Sequence, residues 1–120
     1  IKGSKSYKEA KKIAYSISNS NLIKTAMFGS DPNWGRIIAR LGSIENINLI
    51  PEKVIMKING YNTFSRGMQD KLCNLKILNK SMKRREISIE ILLNLGKYDF
   101  SMITSDLTTK YVSINSEYTS

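Results

Sequence analysis

Histidine is absent from this chain of 120 residues. That removes the usual general base of enzyme chemistry and the commonest zinc ligand. Cysteine occurs once, at Cys73, so no internal disulfide forms and no Cys/His zinc set can be assembled. A lone thiol points to a reducing compartment, the cytoplasm. No apolar run approaches the roughly 18 residues of a membrane span. The opening "IKGSKSYKEAKK" has no apolar core of a secretory signal. No membrane partner is therefore expected.

Acidic residues are also scarce, ten Asp and Glu against nineteen Lys and Arg, for a net charge of +9. Such a balance admits nucleic acid or an anionic ligand. The Lys residues are spread along the chain, however, and the densest cluster is Lys83-Arg84-Arg85. No RNP-like aromatic motif or zinc-finger spacing accompanies it. A Lys-rich solvated surface accounts for the charge, and no nucleic-acid partner is expected. A small basic module for RNA or acidic protein stands as the competing function.

What is present fits one modest domain. Apolar residues make up 41% and charged residues 24%, ordinary for a globular chain. A chain of this size buries roughly two-thirds of its unfolded surface, enough for a single core. Ser6 and Glu9 form a capping box, and Ala10, Ile13, Ala14 and Ile17 follow at helical spacing. "SNSN" at 18–21 ends that helix. "LIKTAMF", 22–28, is short, apolar and closed by Gly29, which reads as a buried strand. Its Ala, Met and Lys also suit a helix.

The stretch "SDPNWGRIIARLG", 30–42, holds the only Trp and one of the two Pro. Asp31 suits an N-cap and Pro32 the first helical position. Trp34, Ile37, Ile38 and Leu41 share one helical face, and Gly42 sits where a left-handed terminal residue belongs. Gly35 in the first turn costs about 1 kcal/mol against Ala, which implies close approach of a neighbouring element or a ligand. "KVIMKING", 53–60, reads as a strand with "NTFSR" as its partner. Leu72, Leu75, Leu78 and Met82 make a third helical stripe, closed by the basic cluster that complements a helix C-terminus. "EISIEIL" alternates, with Ile87, Ile89 and Ile91 on one face, and "KYDFSMIT" reads as its hairpin partner. Asp106 would cap a last helix carrying Leu107, Tyr111, Ile114 and Tyr118. This order gives an α/β or α+β chain with layered packing. No repeat, low-complexity run or linker divides residues 1–120.

Catalytic residues are not legible from composition. A nucleophile needs a base beside it, and the hydroxyls are too numerous to choose among. Asp31 and Asp106 are each explained as helix caps.

Two long motifs decide more. "SISNSNLIKTAMFGSDPNWGRIIARLG" resembles the segment A-N-S-x-L-V-K-T-A-x-x-G-x-D-P-N-W-G-R-I of the ornithine acetyltransferase/glutamate N-acetyltransferase family. "SDLTTKYVSINSEYTS" resembles that family's ending, D-L-T-x-x-Y-V-x-I-N-x-x-Y-x-[TS]. The likeness covers the chain, weakly over 44–85. It implies a layered N-terminal-nucleophile-like fold of the aminopeptidase and ornithine-acetyltransferase type, of which this chain is a part.

The resemblance also implies a mechanism. A precursor cleaves itself into an α chain and a β chain, and the new N-terminal Thr of the β chain is the nucleophile. It takes the acetyl group from N-acetylornithine and passes it to glutamate, in arginine biosynthesis. No His is needed, because the α-amine acts as the base, and an oxyanion hole from the α chain stabilises the intermediates. The nucleophilic Thr, the substrate-contacting Lys and Thr of the α chain, and a Glu in a D-G-E-G-A motif all precede the matched segment. The chain, which starts at Ile1, is thus expected to be the C-terminal part of the β chain, without catalytic residues and inactive alone. Asn115 and Ser120 match the family's last two substrate-binding positions. Asp31, Asn33, Trp34, Gly35 and Arg36 belong to the family motif and read mainly as a structural junction, near the seam of the two chains. No cofactor or metal is implied, although bifunctional members accept acetyl-CoA. The expected partners are the α chain, in an αβ hetero-oligomer, and the two amino-acid substrates. A related N-terminal-nucleophile aminopeptidase is a further alternative, against which "DPNWGR" and "INxxY" argue.

Overall fold

The computed structural model describes residues 1–28, 34–70, 74–83, 86–104 and 115–116. Ser6 begins the first helix, α1 (Tyr7–Ser18), and its Oγ accepts from the Glu9 N–H at 3.1 Å. Ala10, Ile13, Ala14 and Ile17 are all buried, as their spacing predicts. They serve two clusters. Ile13 and Ile17 enter the main core, whereas Ala10 and Ala14 make room for Phe100.

"LIKTAMF" is not a strand. It forms α2 (Asn21–Phe28), with the Ile23 N–H directed at the Ser20 hydroxyl and the Lys24 N–H donating to the Ser20 carbonyl. Short apolar runs do not distinguish strand from helix by periodicity. Here the helix propensity of Ala, Met and Lys, with Ser20 at the start, prevails.

The third helix, α3 (Trp34–Gly42), buries Ile37 and Leu41. The expected caps at Asp31 and Pro32 lie outside the described residues. Gly42 is not left-handed, contrary to expectation; it is the last helical residue. The Ser43 N–H and Oγ both turn back to the Arg40 carbonyl, at 3.1 and 2.7 Å. A serine thus satisfies a terminal carbonyl that a glycine motif would otherwise have served.

A short 3-10 turn at Pro51–Lys53 leads into the sheet. Its strands are β1 (Ile55–Ile58), β2 (Tyr61–Ser65), β3 (Met68–Gln69) and β4 (Ile89–Leu92), in the order β3-β2-β1-β4, every pair antiparallel. Asn59 and Gly60, at φ 52° and 83°, make the two-residue turn between β1 and β2, as positive φ at both positions requires. Arg66 and Gly67 repeat the device before β3. The β1–β2 register slips between Met56 and Lys57. Consecutive residues Thr63 and Phe64 are therefore both buried, and the Thr63 hydroxyl donates to the Met56 carbonyl at 3.2 Å. An extra residue in one strand has this local effect.

Helix α4 (Leu75–Ser81) is capped by Asn74, whose side chain accepts from the N–H groups of Lys76 and Ile77. Leu78 and Met82 are buried as expected, but Leu75 is 48% exposed, and Leu72 lies outside the described residues. One cluster joins Ile13, Ile37, Met56, Ile58, Leu78 and Ile91, so helices and sheet share a core.

The expected hairpin between β4 and "KYDFSMIT" does not form. The N-terminal segment lies between them instead. Lys2 runs parallel to β4, donating to Ile91 O and accepting from Leu93 N, both at 2.8 Å. On its other side Ser4 pairs with Tyr98, and Ile1 with Phe100. Gly96 permits this, because a Cβ there would collide with the Ser4 carbonyl oxygen. Residues 102–103 form β5 (Met102–Ile103), which pairs with β6 (Asn115–Ser116). Asn115 is thus in a strand, not in the expected last helix. The other residues of that expected helix, Asp106, Leu107, Tyr111, Ile114 and Tyr118, lie outside the described residues.

Candidate functional site

Helix α3 carries what is described of the "DPNWGR" motif. Asp31 and Asn33 lie outside the described residues. Trp34 opens the helix with its ring centroid 5.7 Å from that of Phe64, tilted 41°, so the indole packs on the sheet. Gly35 is exposed. The Arg36 guanidinium donates to the Leu22 carbonyl of α2 at 3.1 Å. One turn later the Arg40 Nε donates to the Ser16 carbonyl of α1 at 3.2 Å. Lys12 of α1 donates to the Glu45 carbonyl beyond α3 at 2.9 Å. Cations on α3 and α1 thus bind backbone oxygens of their neighbours and fix the three-helix corner.

Asn115 stands opposite Ile103 in the β5–β6 ribbon. Ser120 lies outside the described residues. Trp34 and Arg36 therefore share one helical turn, whereas Asn115 belongs to a separate two-stranded sheet. Among the described residues, no three His, Cys, Asp or Glu side chains gather as a metal-binding set. No helix among them is long and apolar enough to cross a membrane.

One ion pair flanks the sheet. Lys2 Nζ lies 2.7 Å from Glu90 Oε1. The hydrogen bond from Lys2 holds the Glu90 carboxyl below its usual range, and the same bond raises Lys2.

Asn59 is a polar centre that sequence reasoning missed, reading it within the strand over 53–60. Its Oδ1 accepts from the Ser88 N–H at 2.9 Å and its Nδ2 donates to Ser81 Oγ at 3.0 Å. The Asn-Gly pair marks the turn, but nothing local announces its links to α4 and the approach to β4.

The sequence profile of the ArgJ family matches residues 1–120. The chain belongs to the ArgJ family. It is 38% identical over 120 residues to "Arginine biosynthesis bifunctional protein ArgJ" of Bradyrhizobium diazoefficiens, covering 100% of this chain and 29% of that protein. To the protein of the same name from Aquifex aeolicus it is 40% identical over 112 residues, covering 92% of this chain and 29% of the relative. The chain thus spans about three-tenths of the length of these ArgJ relatives. A crystal structure of the Bacillus halodurans ArgJ protein superposes with a TM-score of 0.73 at 26% identity, covering 81% of this chain and 45% of that one. The α/β architecture is therefore that of part of an ArgJ fold.

Proposed function

We propose that this chain is a segment of an acetyltransferase of arginine biosynthesis, which moves the acetyl group of N-acetylornithine to glutamate. The observation that carries the reading is the ArgJ match along all 120 residues. In this reading the N-terminal Thr nucleophile comes from a segment outside the chain, after self-cleavage of a precursor, and the reaction is cytoplasmic. The clamp of Arg36 and Arg40 on α2 and α1 makes the "DPNWGR" helix a scaffold against which the partner α chain seats. Asn115 and Ser120 contact the amino-acid substrate. Acetyl-CoA is an alternative donor if the enzyme is bifunctional.

The test is expression of the complete reading frame and assay of N-acetylglutamate formation. A folded, self-cleaved protein should transfer acetyl from N-acetylornithine. Failure with both N-acetylornithine and acetyl-CoA would overturn the proposal. The same frame tests the expected upstream segment, through a D-G-E-G-A-like motif and an A-T-x-L cleavage site before Ile1.

A further inference from the structure

The chain contains one Asn-Gly dipeptide, Asn59-Gly60. Such a pair has an intrinsic chemistry. The Gly nitrogen attacks the Asn Cγ, the new N–Cγ bond closes a five-membered succinimide, and the Cγ–Nδ2 bond breaks to release ammonia. Water then opens the ring at either carbonyl, giving Asp or iso-Asp. The net change is amide plus water to acid plus ammonia, so solvent is the only co-reactant. Glycine imposes no side chain on the attack, and Gly60 is exposed, with open space where a Cβ would stand.

The fold works against each step. Asn59 is left-handed at φ 52° within a two-residue turn. Ring closure requires the peptide to rotate so that the Gly60 nitrogen faces Cγ, which leaves that conformation. The amide to be expelled is engaged, because Nδ2 donates to Ser81 Oγ at 3.0 Å. Ser81 is itself anchored by donating to the Leu78 carbonyl at 2.6 Å. The other amide atom, Oδ1, accepts from the Ser88 N–H at 2.9 Å, and the Asn59 N–H donates to the Ser88 carbonyl at 2.8 Å. Rotation toward the ring breaks the side-chain bonds together.

We propose that Asn59-Gly60 is a spontaneous deamidation site held shut by the fold, with Ser81 as its latch. Conversion follows local opening of the β1–β2 turn. Its products cannot restore the original contacts. An aspartate at 59 has no donor for Ser81 Oγ, and iso-Asp inserts a carbon into the backbone of a turn with only two residues. The modification therefore weakens the junction of β1–β2, α4 and the start of β4.

The experiment follows the peptide containing Asn59 by mass spectrometry, with iso-Asp resolved chromatographically, in the purified protein at mildly alkaline pH. Native protein should convert roughly tenfold or more slowly than protein in denaturant, since opening breaks at least two hydrogen bonds. Ser81→Ala should speed the native reaction severalfold and leave the denatured rate unchanged. Phe100→Leu, which loosens the separate Ala10–Ala14–Phe100 cluster, should leave the native rate near that of the wild type. Equal native and denatured rates would overturn the proposal. So would equal acceleration by Ser81→Ala and Phe100→Leu, which would assign the opening to global unfolding.

Discussion

Trp34 lies with its ring 5.7 Å from that of Phe64, so the first residue of α3 is seated directly on β2. The tilted ring pair adds about 0.5–1.5 kcal/mol to the burial of two large apolar surfaces. Truncation to Trp34→Ala should cost about 3 kcal/mol, the low end for aromatic truncation because the indole is half-buried. Trp34→Phe should recover most of that loss. Circular dichroism during denaturant unfolding measures both. An unchanged midpoint in Trp34→Ala would remove the structural role and favour ligand contact by the motif.

Gly96 tests the threading of the N-terminal segment. A Cβ at this position meets the Ser4 carbonyl and lies 3.1 Å from Lys5 Cα. Backbone cannot yield as a flexible side chain can. Gly96→Ala should therefore destabilise by about 2–3 kcal/mol, in the upper part of the range for point substitutions. Hydrogen exchange should show the loss concentrated at Lys2, Ser4 and Leu93, whose N–H groups make this ladder. Stability equal to that of the wild type would mean that the segment lies elsewhere in solution.

The Lys2–Glu90 pair makes a pH prediction with two limbs. The Glu90 carboxyl is lowered in the folded chain by the Lys2 hydrogen bond. Its contribution is therefore complete above the ordinary Glu value of about 4.3 and is lost as pH falls through the lowered value. Lys2 is raised, so its contribution is complete below the ordinary Lys value of about 10.4 and is lost as pH rises through the raised one. Between those limits the pair should give a flat profile. Lys2 is mostly exposed, so the effect is small and fades in high salt. Stability of Glu90→Gln against the wild type, followed across pH, measures it. A difference that persists below the acid limb would assign the effect to something other than the charge.

Local signals were sufficient where the structure is local. The capping box and the 3.6-residue spacing located α1, and the alternation of "KVIMKING" with "NTFSR" as its partner located the β1–β2 hairpin, although Asn59 and Gly60, read as strand, form its turn. The signals were ambiguous at "LIKTAMF", where Ser20 reads as the end of α1 but also begins α2, so the strand reading prevails over the helix that forms. They failed at "KYDFSMIT", because the rival partner, Ile1–Ser4, is more than ninety residues away in sequence and leaves no mark on local periodicity. The site was legible only through resemblance. Arg36 and Arg40 are one helical turn apart in sequence, but the carbonyls they reach belong to other helices, so their clamp has no local signature.

Asn115 carries the sharpest functional prediction. The amino-acid end of ornithine or glutamate bears an ammonium and a carboxylate. An Asn amide offers both donor and acceptor, and the Ser120 side chain would add a hydroxyl. Each charge-assisted hydrogen bond contributes about 1.5–3 kcal/mol. Its loss should raise KM for the amino-acid substrate roughly ten- to a hundredfold. Pairing of β6 with β5 ties Asn115 to Ile103, so the backbone at this position has a fixed partner. In the complete enzyme, Asn115→Ala or a tag fused after Ser120 should raise KM while self-cleavage still yields two chains. Unchanged kinetics in both variants would show that neither Asn115 nor Ser120 contacts the substrate.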